Sequence, residues 1–177
     1  MLTPAAEWRA IEPESGDTGY LFTNYVAILA AIPPICEFLR RILFGWRGPP
    51  FGFHHVHHGV LGSLFGAVLH WLAALVFVYA MAIIVDALAP TFSGQKNQQN
   101  AMKLAVYSQT PAWLAGVFAL VPGLGFLRIL ALIYAIYLFW LGLPVLMKPP
   151  PDRAGPYALA AIVCGIVLWV VVRSVVG

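Results

Sequence analysis

The segment Phe53-His54-His55-Val56-His57-His58 concentrates imidazoles at spacings that suit chemistry. On a helix, His54, His55, His57 and His58 supply i,i+3 and i,i+4 pairs, and neutral imidazoles so placed can converge on one zinc, nickel or copper ion. No carboxylate or thiolate lies within the segment to close such a site. The alternative is a loop of hydrated rings lying near lipid headgroups, because a His-rich tract is a compositional signal only.

A second group of candidates surrounds Asp86. The run from Gly59 to Val85 has no Asp, Glu, Lys or Arg, and His70 is its one residue that ionises near neutral pH, so Asp86 stands where a spanning helix would end. Lys103, Tyr107 and Thr110 then recur at helical spacing, with Ser108 and Gln109 beside them and Pro111 following. A short connection returns Lys103 to the side of the membrane that holds Asp86, where Lys96 or Lys103 can pair with the carboxylate. Two readings stay open: a salt bridge that fixes a hairpin, or a partner- or ion-binding group. His70 is read as a buried neutral imidazole bonded across a bundle, with a proton relay as its alternative.

Other polar residues read as structure. Glu37 precedes Arg40 and Arg41 by one helical turn and can pair on its own face. Tyr134 and Tyr137 share a helical face and read as packing. No nucleophile–base pair, phosphate-binding loop or cofactor motif occurs, and the carboxylates fall in separate segments. Neither an enzyme nor a cofactor is expected.

These residues must be held by elements that cross a membrane. Of 177 residues, 61% are hydrophobic and only 10% charged, far from the balance of a soluble domain. Stretches near residues 20–44, 59–88, 101–120, 124–147 and 156–172 approach the roughly 20 residues that a spanning helix needs. Runs apolar on every side exclude the alternating pattern of membrane strands. The expected fold is all-α: one polytopic membrane bundle of about five transmembrane helices.

Residues 1–19 are acidic, unlike a secretory signal, so the first span is expected to be retained. Thr3-Pro4 can open a helix there, and Trp8 with Ile11 gives it an apolar edge for the membrane surface. Cys36 and Cys164 fall inside spans and read as packing, not as a disulfide. The charge of +3 is scattered, with no nucleic-acid footprint. The basic residues divide evenly between the two sides and leave orientation open.

Breakers separate the spans: Gly48-Pro49-Pro50, residues 93–100, Pro122-Gly123 and Pro149-Pro150-Pro151. Pro33-Pro34 lies inside the first span and should kink it toward protein or water, as a packing bend or a transporter hinge. Gly62 and Gly66 form a GxxxG pattern whose face continues through His70, a strip suited to close helix packing.

The residues around Asp86, Pro90, Phe92, Gly94 and Lys96, then Lys103-Leu104-Ala105-Val106-Tyr107-Ser108-Gln109-Thr110-Pro111, then Val121-Pro122-Gly123-Leu124-Gly125, resemble the Yip domain family of Ypt/Rab-GTPase-interacting membrane proteins. Pro4, Trp8, Ile11 and Glu12, and Leu141-Gly142-Leu143-Pro144, extend the resemblance over almost the whole chain and toward the bacterial branch. It implies five spans, a cytoplasmic N-terminus and a bacterial inner membrane, and, for eukaryotic relatives, association with related proteins. GTPase binding is implied only for eukaryotic relatives.

The expected function is therefore partner binding, lateral assembly or membrane organisation, centred on residues 86–111. The expected partners are membrane lipids and a homo-oligomer or other membrane proteins. The first alternative is a small ion or solute transporter or channel using Asp86, His70 and Tyr107. The second is metal binding at residues 54–58.

Overall fold

A computed structural model describes residues 4–13, 18–44, 60–121 and 123–176, and every regular element among them is helical. Helix α1 (Pro4–Ile11) is followed by a discontinuous helical segment: α2 (Thr18–Tyr20), a π-helical stretch (Leu21–Val26), α3 (Ala27–Leu29) and α4 (Ile32–Phe44). Helix α5 (Val60–Leu88) leads through a 3₁₀ turn (Ala89–Phe92) into α6 (Gln98–Leu114). A second 3₁₀ segment (Ala115–Leu120) precedes α7 (Gly125–Met147) and α8 (Pro151–Val176).

Three of these elements are long and apolar enough to cross a membrane: Val60–Phe92, Gly125–Met147 and Pro151–Val175. Most of their residues face away from the protein, and large apolar side chains such as Leu61, Phe65, Ile129, Ile133, Val167 and Val170 are exposed. Lipid solvates such side chains at no cost, so outward apolar faces are stable only within a bilayer. The molecule is an all-α membrane bundle.

Helix α6 inverts that pattern. It carries Gln98, Gln99, Asn100 and Lys103 and is not among the apolar helices, yet residues 101–106 are all buried. It packs on α5 and α7 and touches α4, so protein surrounds it. Polar groups in a membrane are least costly where other helices supply their partners. Helix α8 packs on α5 and α7, completing the bundle.

The bend in the first segment lies before the prolines. Ala31 N donates to Ile28 O at 3.2 Å, where a regular helix would use Ala27 O. Pro33 and Pro34 then occupy the first turn of α4, where a missing N–H removes no helical bond. The released Ala27 carbonyl accepts from Trp71 Nε1 of α5 at 2.8 Å. The bend thus faces protein, and its exposed carbonyl is satisfied there.

Helix α1 forms, and its apolar edge is buried against the bundle. Trp8 is 1% exposed and packs in the core with Leu104 and Leu143. A Cβ on Gly142 would stand 2.5 Å from the Trp8 ring and 2.8 Å from Leu104 Cδ1, so glycine on α7 makes the space for the indole. Burying so large a ring against a packed helix removes more apolar area from water than an interfacial placement.

Candidate functional site

The residues around the α5–α6 connection form a bonded cap at one end of the bundle. Proline-containing residues Ala89–Phe92 tighten the chain, and Ser93 takes the left-handed conformation at φ 57°. Gly94 N then donates to Ala89 O at 2.8 Å, and Gln95 N to Met147 O at 2.7 Å, tying the turn to the end of α7. A Cβ at Gly94 would lie 3.0 Å from Met147 O, so any side chain here requires the end of α7 to give by a few tenths of an ångström. Asn97 caps α6, accepting from Asn100 N at 3.1 Å, while Asn100 Nδ2 donates to Leu146 O at 3.1 Å.

Helix α8 closes the cap from the other side. Phe92 stacks on Tyr157 with ring centroids 5.2 Å apart and planes 9° from parallel. Tyr157 Oη donates to Val85 O at 2.6 Å from a fully buried position. Arg153 Nη1 donates to Ser93 Oγ at 3.2 Å. Pro90 and Lys96 are exposed.

Asp86 lies beneath this cap at 7% exposure, and its Oδ1 is enclosed without a hydrogen-bond partner among the described residues. Among the described residues no ion pair joins it to Lys96 or Lys103, so the expected hairpin salt bridge is not formed. The Lys103 ammonium instead donates to the carbonyls of Ile11 at 3.0 Å and Glu12 at 3.1 Å. Helix α1 ends at Ile11, and the last carbonyls of a helix lack internal donors; a buried ammonium satisfies them and is itself stabilised at the negative helix terminus. Glu12 also pairs through its side chain with Lys148, which takes the left-handed conformation just after α7.

The other polar residues of α6 divide between two tasks. Tyr107 and Thr110 both meet Tyr25 of the π-helical stretch: the Tyr25 and Tyr107 rings are edge-on at 5.3 Å, and the Tyr25 and Thr110 hydroxyls are 3.1 Å apart. Ser108 Oγ donates to Ala105 O at 3.3 Å, and Thr110 Oγ1 to Val106 O at 3.3 Å. Pro111 stays within α6, and a turn later the helix tightens into its 3₁₀ continuation. There a Cβ on Gly116 would lie 2.7 Å from Pro33 Cα, so this glycine seats the bend.

The helix-packing candidates on α5 make no close approach to another described helix. His70 is exposed, not bonded across the bundle, because Trp71, Val78, Ala82 and Val85 define the inward side of α5 and His70 lies off it. Gly66 has no atom within 4 Å of its virtual Cβ among the described residues, and Gly62 is half-buried one turn before it. Close approaches are instead made at Gly116, Gly142 and Gly165, the last against Met81. No GxxxG spacing marks these three, and only the partner residues from distant helices reveal them.

His54, His55, His57, His58 and Pro122 lie outside the described residues. Among the described residues no group of three His, Cys, Asp or Glu could hold a metal ion. Gly125 opens α7 with no described residue within 4 Å of where a Cβ would stand, and Gly123 before it has φ +98°. An apolar groove beside the π-helical stretch, lined by Phe22, Leu72, Val76, Tyr79 and Met102, has the Tyr79 phenol as its one titratable group.

Glu37 pairs with Arg40 and Arg41 as read from spacing, and also with Arg128 of α7, which spacing did not indicate. Tyr25, Trp71 and Tyr157 were likewise missed: none stands out by spacing, and only its partner on another helix gives each a role.

Residues 1–172 match the family profile described as Yip1 domain. The chain is similar to the inner membrane protein YohC of Escherichia coli strain K12, 26% identical over 169 residues that cover 93% of this chain and 85% of that protein. The same values hold for YohC of Escherichia coli O6:H1 strain CFT073. No solved structure matches. With nearly its full length matched by the profile and its cap built from the residues that carry the resemblance, the chain belongs to the Yip1 domain family.

Proposed function

We propose that this chain is a non-enzymatic membrane protein acting by lateral assembly, with a second copy packing on the outward face of α5. The observation that carries this reading is that no described residue fills the space at Gly66, beside exposed Leu61, Phe65 and His70. Glycine on a spanning helix lets another backbone approach closely, and an imidazole on the same side can bond across that contact. The five-span arrangement, the cytoplasmic N-terminus and residence in a bacterial inner membrane belong to the same reading. The inner-membrane description of the relatives supports that residence.

The cap supports a scaffold role for residues 86–111, since their polar groups bond largely to backbone within the chain. Gly66→Cys, with Cys36 and Cys164 replaced by serine, should give a crosslinked dimer in membranes when treated with a short bifunctional thiol reagent. Gly66→Leu should reduce dimer recovered by amine crosslinking severalfold. Monomer alone from folded protein in both experiments ends the proposal.

The enclosed Oδ1 of Asp86 favours a second reading, an ion or proton pathway, because an unpartnered carboxylate within a membrane protein is commonly functional. Reconstituted vesicles would then show flux that Asp86→Asn alters. Absence of flux across a panel of monovalent and divalent ions and protons rejects it.

A further inference from the structure

At the end of the bundle opposite the cap, three guanidinium groups converge on one carboxylate. Arg40 Nη2 donates to Glu37 Oε1 at 2.9 Å. Arg41 Nη2 lies 3.8 Å from the same oxygen, and Arg128 Nη1 lies 3.8 Å from Oε2. Those two separations are ion-pair distances, too long for hydrogen bonds.

Arg41 and Arg128 make no hydrogen bond among the described residues, although each guanidinium carries five N–H donors. The Nε of Arg41 is enclosed without an acceptor among the described residues. One carboxylate against three cations leaves the cluster positive, and the side chains of Arg41 and Arg128 remain 37% and 47% accessible. The geometry is that of a cradle whose charge and donors are only partly matched from within.

The surroundings identify what could match them. Leu39, Ile42 and Leu43 of α4, and Phe126, Ile129 and Leu130 of α7, are exposed beside the cluster. In a bilayer those side chains meet lipid tails, so an anion bound here has hydrocarbon on both flanks. The cation type suits an anion as well: the basic residues of this cluster are all arginine, whereas the cap end mixes Lys96, Lys103 and Lys148 with Arg153. Planar guanidinium forks match phosphate oxygens bidentately, which a lysine ammonium cannot do.

We propose that Arg41 and Arg128 bind the phosphate diester of an anionic phospholipid, its tails lying along α4 and α7. Glu37, hydrogen-bonded to Arg40, offsets part of the charge on the two open forks and so competes with a headgroup for them. This site is separate from the α5 face and from Asp86, and it stands or falls independently of both. The competing view is an ordinary interfacial ion-pair network, which contributes little and selects no lipid.

The test uses the full chain purified in detergent and exchanged into mixed micelles containing phosphatidylglycerol or phosphatidylcholine, with retained lipid counted by native mass spectrometry. Wild-type protein should retain phosphatidylglycerol selectively. Arg41→Gln and Arg128→Gln should each weaken that retention by about fivefold, the ordinary effect of one basic residue near an anionic membrane surface. Lys148→Gln, at the opposite end, should leave it unchanged.

Glu37→Gln gives a change of opposite sign. Removing the internal carboxylate should raise phosphatidylglycerol retention, whereas a merely structural network would lose stability with no gain in lipid. A further arm adds inorganic phosphate and glycerol phosphate at millimolar concentration. Equal protection against unfolding by these free anions would overturn the lipid assignment in favour of a soluble phosphate ligand. Unchanged retention in the two arginine variants, or no rise in Glu37→Gln, would overturn the site.

Discussion

Asp86 and Lys103 illustrate how a residue's type announces its cost but not its partner. Each interrupts an apolar setting, and each is buried, yet they do not pair: Lys103 bonds the end of α1 and Asp86 keeps an enclosed oxygen without a partner among the described residues. An unsatisfied buried acceptor costs about 1–3 kcal/mol, so Asp86→Ala should raise the thermal unfolding midpoint measured by circular dichroism in detergent. A fall instead would mean that the carboxylate stabilises the fold. Tyr157→Phe should lower the midpoint by the equivalent of about 1 kcal/mol, since only the bond to Val85 O is lost and the stack on Phe92 remains.

Gly142 and Trp8 form a complementary pair of small and large at the same scale. Gly142→Leu should destabilise by at least the roughly 1–3 kcal/mol of an overpacked core, because both Trp8 and Leu104 must move. Combined with Trp8→Ala, the loss should be smaller than the sum of the two, as residues in direct contact couple. A double-mutant cycle on unfolding midpoints checks this, and strict additivity would show that the contact carries no energy.

At the scale of elements, the first segment owes its shape to two glycine- and proline-bearing surfaces meeting. The prolines are written plainly in the sequence, but they only permit a helix start; the bend lies at Ala30 and Ala31, where Trp71 takes the freed carbonyl. Gly116→Ala should cost about 1–3 kcal/mol by pushing α4 from the 3₁₀ segment, since the new methyl would meet Pro33 backbone. Pro34→Ala should cost little by comparison, because its ring fills a first-turn position with no helical bond at stake. Unfolding midpoints in that order support the assignment, and the reverse order would place the stabilising contact within α4 itself.

Over the whole molecule, the outer helices are apolar and the central one is not. Helices α5, α7 and α8 are solvated by lipid, while α6 spends its polar groups on the neighbours that enclose it. The amino-terminal helix belongs to that enclosure. Deleting residues 1–13 removes the Trp8 ring and the carbonyls that hold the Lys103 ammonium, so the midpoint should fall by more than the roughly 3–5 kcal/mol of a lost core tryptophan. Glu12→Gln, which breaks only the partly exposed pair with Lys148, should cost at most about 1 kcal/mol. Equal effects of the two changes would return α1 to a peripheral role.

The membrane class, the all-α architecture and the family were legible from residues alone, because hydrocarbon admits few backbone solutions and long apolar runs declare themselves by length. The long α5 and α7 follow from such runs, as does the pairing of Glu37 with Arg40 one turn away. Which way a side chain faces inside a run that is apolar all round has no such signature: His70 points outward and Trp71, its neighbour, inward. Those choices, the burial of Trp8 over Gly142, the reach of Lys103 to α1 and the addition of Arg128 to Glu37 depend on contacts between helices far apart in the chain. Spacing within one helix carries no record of them, so only tertiary packing decided which polar groups were satisfied and which were left open.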